Sequence, residues 1–132
     1  MSTQVDVIDE LQARITANCP VFVTVDHPWF MEALDELDKE TPAALIWLSG
    51  DEAAGRPTTD AGTIQEDVLT YGVWIVSPQN KQEEARSQVR SALLGWCPTE
   101  YHGGFYYAKG GAENISGDLV WWREFWRVDI NC

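Results

Sequence analysis

Residues 119–126 read Leu-Val-Trp-Trp-Arg-Glu-Phe-Trp, the most informative stretch of the chain for its fold. Three tryptophans and a phenylalanine within six residues carry more large aromatic surface than one short strand of a small domain normally needs. Successive side chains of a strand point to opposite faces. One face then carries Trp122, Glu124 and Trp126, and the other carries Trp121, Arg123 and Phe125. We therefore expect a strand that is covered on both sides, either by its own chain alone or on one side by a partner molecule.

The end of this stretch is the first candidate for an interface. Trp126 is followed by Arg127, and Trp and Arg are the residues enriched at the energetic centres of protein interfaces. Arg123 is a second cation on the same strand. The alternative is that tryptophans on a central strand simply belong to the core.

Hydrophobic periodicity and turn residues predict the remaining elements of the chain. In the first half they are a helix over 4–17, a strand over 21–25, a helix that begins at Asp26-His27-Pro28, and a strand over 43–48. In the second half they are a strand over 64–76 and a helix that follows Ser77-Pro78 and ends at Gly95. A last strand at Phe105-Tyr106-Tyr107 is predicted to pair with the aromatic strand. Thr3 and Asp6 resemble a capping box for the first helix. Residues 49–63 show no periodicity and are predicted to form a long loop, and Gly110-Gly111 with Gly117 is predicted to punctuate the last link.

The resulting order, α-β-α-β-β-α-β-β, predicts an α+β (mixed α/β) fold. We expect one domain over residues 1–132, with one mostly antiparallel or mixed sheet and helices packed against it.

The charge of the chain is strongly negative and unevenly placed. The net charge is −12, and residues 1–68 hold fourteen of the 21 acids but three of the nine bases. Binding to nucleic acid phosphates needs clustered Lys and Arg, which this chain lacks, so direct DNA binding is not expected.

No pattern of catalytic or metal-ligating residues is present in the sequence. The three cysteines are an odd number without Cys-x-x-Cys spacing, which indicates reduced thiols, and Cys19 and Cys97 are interpreted as small buried hydrophobes. His27 and His102 are isolated, so neither a metal site nor activation of the Cys97 thiol is expected. We expect no enzyme activity, no cofactor, no secretory signal and no membrane span.

Three motifs of the second half together resemble a known family. They are Leu93-Leu94-Gly95-Trp96-Cys97-Pro98, the glycine and aromatic run 103–107, and the strand 119–127. This pattern, over about residues 85–128, resembles the tail terminator proteins of long-tailed bacteriophages, including those of Mu-like prophages. The first half is similar to the family only in its element order and its early helix.

The resemblance implies a structural virion protein without enzyme activity, metal or cofactor. Such a protein forms a homohexameric ring that caps the tail tube, stops its polymerisation and provides the joint to the neck or connector proteins on the head side. DNA would pass through the ring without specific binding. The chain would then be assembled in the host cytoplasm and lie at the head-proximal end of the tail in the virion.

Within this hypothesis, particular residues receive roles. The interface residues would be Trp126, Arg127 and Arg123, together with Asp51, Glu52 and Arg56 of the predicted loop. The acids that line the lumen would be Glu32, Asp35 and Glu36, with Asp51 and Glu52 as further candidates.

Two alternative functions remain open at this point. Neck, or tail completion, proteins share a similar fold, so the chain could join head to tail instead. A different class is an acidic DNA mimic that inhibits a nucleic-acid-binding enzyme, which the net charge of −12 suits. A small-molecule enzyme ranks third, because no group of residues supports it.

Overall fold

The computed structural model describes residues 6–26, 41–53 and 67–130 of the chain. The described elements are α1 (Ile8–Asn18), β1 (Thr24–Asp26), β2 (Ala43–Ala53), β3 (Asp67–Pro78), α2 (Gln82–Leu93), β4 (Tyr106–Ser116) and β5 (Leu119–Ile130). The strands form one mixed sheet in the order β1-β2-β3-β5-β4, in which β1 pairs with β2 in parallel and the other pairs are antiparallel. The predicted α+β class and the single small domain are thus confirmed.

The second half of the chain follows the predicted elements closely. The aromatic stretch lies in β5, which pairs with β4 as expected. A 3-10 turn at Gln79–Lys81 leads into α2, whose apolar stripe is buried. Gly95 has φ +80°, a conformation that favours glycine and ends the helical segment.

Several predicted boundaries are wrong. Strand β2 runs to Ala53, so residues 49–53 are not loop, and a bulge between Leu48 and Gly50 lets the strand continue. Gly110-Gly111 lies inside β4, and the link to β5 is only the two-residue turn 117–118. The predicted helix after Asp26 and most of the predicted loop lie outside the described residues.

The first helix begins later than predicted, and the sheet holds its first turn in place. The Ile8 N–H donates to the Asp6 carboxylate at 3.0 Å. The Tyr71 hydroxyl donates to Asp6 and accepts from the Val7 N–H, both at 2.8 Å. Burial is the main reason that the pKa of Tyr71 is raised. These bonds satisfy backbone donors that a helix start leaves free, and they fix α1 to the middle of β3.

One face of the sheet, here called the inner face, packs against α1 and α2 to form the main core. Its strand residues include Ile46, Val73 and Ile75, and its helix residues include Leu11 and Val89, all of them fully buried. The inner-face residues of β3 pair with inner-face residues of both β2 and β5, so the inner face of the sheet is continuous across these three strands.

A buried carboxylate lies at the centre of the inner face. Glu124 is 1% exposed, and its two oxygens accept one N–H bond each from the indoles of Trp122 and Trp126, both at 3.1 Å. Burial raises the pKa of Glu124, while the two indole bonds and the charges of Arg90 and Arg86 oppose that rise. The carboxylate is therefore satisfied by hydrogen bonds in a site that disfavours its charge.

The prediction that Trp126 anchors an interface is corrected by its position. Its side chain is 0% exposed, packs edge-on against Tyr107 at 5.4 Å between ring centroids, and donates to Glu124. The inner face is the one that the helices cover, so Trp126 belongs to the core and offers no surface to a partner.

We predict that Glu124→Gln lowers the free energy of unfolding by about 1–3 kcal/mol at neutral pH. An amide offers one acceptor and one donor group, so one of the two indole N–H groups would face a donor in the core. The measurement is denaturant unfolding followed by tryptophan fluorescence. Glu83→Gln, an exposed carboxylate on α2, is the matched control, with an expected change of a few tenths of a kcal/mol.

We also predict that the stability difference between the wild type and Glu124→Gln depends on pH. Because the pKa of Glu124 is raised above its ordinary value of 4.5, the folded state keeps a proton at pH values where the unfolded state has lost it. The contribution of Glu124 to the stability of the wild type therefore rises as the pH falls from neutral towards 4.5, and it is complete below that value. The amide cannot titrate, so the gap between wild type and Glu124→Gln widens on acidification. A gap that narrows instead would contradict the raised pKa.

Candidate interaction surface

The face of the sheet opposite the helices, here called the outer face, carries a cluster of aromatic side chains. Cross-strand pairing aligns outer-face residues in rows, such as Trp47, Gly72 and Phe125, and next to them Leu45, Trp74 and Arg123. We define the aromatic patch as Trp47, Trp74, Trp121 and Phe125, which are all half-buried. Sequence alternation correctly placed Trp121 and Phe125 on one face, but Trp47 and Trp74 join them only through the register of three strands.

The rings of the aromatic patch contact one another in a chain. Trp47 stacks on Trp74 with centroids 6.1 Å apart and meets Phe125 edge-on at 6.1 Å. Trp74 in turn meets Trp121 edge-on at 5.9 Å. Such pairs add about 0.5–1.5 kcal/mol each beyond the area that they bury, so the patch forms a preorganised surface.

A glycine makes this packing possible. Trp47 lies directly over Gly72 of β3, and a Cβ atom at that position would overlap the indole ring. The missing side chain therefore creates the space in which Trp47 lies flat between Trp74 and Phe125.

Two cations lie over the aromatic patch. The Arg123 guanidinium is 5.4 Å from the Trp74 ring centroid and 5.3 Å from that of Phe125, and it donates to the Glu113 carboxylate at 2.8 Å. The Lys109 ammonium lies 5.3 Å from the Phe125 centroid. At partly exposed sites each such contact contributes about 0.5–1 kcal/mol. Arg123 is thus held in place by its own chain.

A groove of about 610 Å³ adjoins the aromatic patch. Its lining comes from strands β2, β3, β4 and β5 and consists of Ser49, Thr70, Tyr106, Tyr107, Ala108, Lys109, Phe125 and Arg127. Ser49, which lies at the β2 bulge, and two cations are among its lining residues. The groove can therefore take an extended segment or side chains that carry negative charge.

The structure places the predicted interface residues in different environments. Arg127 is exposed at the groove and Arg123 is half-buried on the aromatic patch. Asp51 is exposed in β2, and Glu52 lies in the same strand, paired with Val68. Arg56 and the lumen candidates Glu32, Asp35 and Glu36 lie outside the described residues. The structure thus brings Arg127 and Arg123 to one face of the sheet.

The described residues give little support for a chemical site. Among them, no group of three or more His, Cys, Asp or Glu side chains is arranged to hold a metal ion. Cys19 is buried, and burial raises the pKa of its thiol to about 11. Cys97 is exposed, contrary to the prediction that it is buried, and His102 bonds to Thr99. No helix in the described part of the chain is long and apolar enough to cross a membrane.

Comparisons with known proteins agree with a structural role. A family model described as phage tail terminator protein matches residues 1–131. Among solved structures, a chain from a particle described as the virion of a native gene transfer agent has a similar fold. The TM-score is 0.54 at 12% identity, over 97% of this chain and 87% of that one. At that identity the likeness shows the fold alone. No curated protein sequence matches the chain.

We predict that Gly72→Ala disrupts the aromatic patch. The new methyl group would displace the Trp47 ring from Trp74 and Phe125, so we expect a loss of about 1–3 kcal/mol in the free energy of unfolding. Near-ultraviolet circular dichroism would report the lost ring contacts directly.

Gly111→Ala is the matched control for this experiment. Gly111 pairs with Arg123 on the same face, and a Cβ atom there would meet no atom within 4 Å. Equal stability and equal aromatic dichroism of the two variants would show that Gly72 is not needed for the packing of Trp47.

Proposed function

The chain belongs to the phage tail terminator family, and from this premise we propose that it caps the head-proximal end of the tail tube as a hexameric ring. Membership makes it a structural protein of phage-type tails. In the proposed role the ring stops polymerisation of the tube and provides the joint to the neck or connector proteins. The observation that carries the proposal is the family match over residues 1–131, nearly the whole chain.

The outer face supports an assembly role for the chain. The aromatic patch is half-buried, has cations over its rings and adjoins an open groove. Partly exposed aromatic and arginine side chains on a sheet are typical of protein interfaces. A ring interface joins two different patches of the same chain, and the outer face is suited to be one of them.

The charge of the chain supports passage of DNA through the ring without specific binding. A net charge of −12 repels the phosphate backbone, which would keep the channel from holding the genome. Glu32, Asp35 and Glu36 remain our proposed lumen-lining acids. The proposed partners are further copies of the chain, the tail tube protein and a neck protein, at the head-proximal end of the virion tail.

The test is disruption of this gene in the parent phage, with tail lengths measured by negative-stain electron microscopy. We expect tubes of uncontrolled, excessive length, because nothing would stop subunit addition at the open end. Expression of the wild-type chain in trans is the control and should restore a narrow length distribution.

Other outcomes would point to other functions. Tails of normal length that lie apart from filled heads would replace the capping role with a neck role. Intact infectious particles would contradict both structural roles and favour the acidic DNA mimic, which salt-sensitive binding to a basic nuclease would then test.

A further inference from the structure

Most cations of the described residues are engaged within their own chain. Lys81 and Arg123 pair with Glu84 and Glu113. Arg14 donates to the Ala92 carbonyl. Arg86 and Arg90 each lie 4.2 Å from an aromatic centroid, over Trp122 and Tyr107.

Lys109 contacts an aromatic ring in the same way, 5.3 Å from the Phe125 centroid, but Lys109 and Arg127 differ from the other cations in their position. Both are exposed, and within residues 6–26, 41–53 and 67–130 no carboxylate forms an ion pair with either. Both line the groove of the outer face. Two cations thus line one groove in a chain whose net charge is −12. The electrostatic attraction for a negatively charged group of another molecule is therefore expected to be strongest at this groove.

The composition of the groove indicates what kind of group fits. Ser49 and Thr70 supply hydroxyl groups, Phe125 supplies an apolar wall, and Lys109 and Arg127 supply charge. Carboxylate side chains on a protein segment fit two of these features, because hydroxyl and cationic groups donate to carboxylate oxygens.

The inner face of the same sheet carries a candidate for that carboxylate, at the end of β2. Strand β1 pairs with β2 only from Ala43 to Leu45, so the end of β2 that carries Asp51 extends beyond β1. Asp51 is exposed and forms no ion pair within the described part of the chain. Its neighbour Gly50 lies in the same cross-strand row as Thr70 and Arg127. Asp51 and Arg127 thus lie at the same height of the sheet, Asp51 on the inner face and Arg127 on the outer face.

We propose that the groove is the binding site for a second copy of this chain, which inserts the β2 end so that its Asp51 faces Arg127 and Lys109. This inference rests on the proposed ring. The contact joins two different patches, which is the arrangement that closes a ring of identical subunits. Copies of net charge −12 repel one another, and contacts of opposite sign at the interface offset that repulsion and fix the register.

The test is a charge swap in the full-length chain. Arg127→Glu and Asp51→Lys would each place like charges opposite one another, and the double variant would restore an opposite pair with reversed polarity. Sedimentation velocity over a wide concentration range, at low and high salt, gives the self-association of each chain. We expect each single variant to weaken association at least about tenfold and the double variant to recover most of it.

Matched controls separate the contact from net charge. Lys81→Glu changes the net charge as Arg127→Glu does, and Asp118→Lys changes it as Asp51→Lys does, but neither residue lines the groove. Thermal unfolding of every variant checks that the fold is intact. We expect the controls to associate like the wild type, and the wild-type association to weaken with salt.

The outcomes distinguish this proposal from the function on which it rests. Wild-type rings that neither charge reversal weakens would overturn the assigned contact and leave the ring standing. Weakening by both single variants without recovery in the double variant would overturn the pairing of Asp51 with Arg127. A wild-type chain that stays monomeric under every condition would overturn the ring itself.

Discussion

The pairing of β3 with β5 sets the positions of the residues on both faces of the sheet. Twelve consecutive pairs run from Asp67 with Ile130 to Pro78 with Leu119 without a bulge. A slip of one residue would exchange the two faces of β5 and move its aromatic residues from one side of the sheet to the other. Trp126 opposes such a slip, because its fully buried ring would leave the core that α1 and α2 cover.

The same register builds both surfaces of the sheet. On the inner side it aligns Tyr71 with Trp126, which ties the start of α1 and the end of β5 to one core. On the outer side it places Gly72 beside Phe125, which leaves the space that Trp47 fills. Core and outer face are therefore two consequences of one pairing, and a change that moves β5 would alter both.

Local patterns in the sequence predicted much of this fold. Alternation along 119–126 assigned residues to faces correctly, and the stripe of α2 with Gly95 marked the third predicted helix. Local patterns did not reveal which face the helices cover, because that depends on contacts between residues distant in sequence. Trp126 was therefore assigned to an interface although it lies in the core. Glycines at 50 and at 110–111 were interpreted as breaks, whereas Gly50 pairs with β3 directly after a bulge and Gly110-Gly111 pair regularly with β5. Local patterns did not predict that Lys109 and Trp47 lie on the outer face, because only the register of the strands brings them beside Phe125.

Strand β4 forms one edge of the described sheet, and its pairing is irregular. Its pairing with β5 shifts register twice, between Tyr107 and Lys109 and between Ala112 and Asn114. An edge interrupted in this way cannot present the regular row of N–H and C=O groups that amyloid-like growth requires. In a crowded cell, many copies of such a chain can meet without adding strand to strand. The irregular edge thereby acts as a solubility safeguard, and it leaves recognition between molecules to side chains.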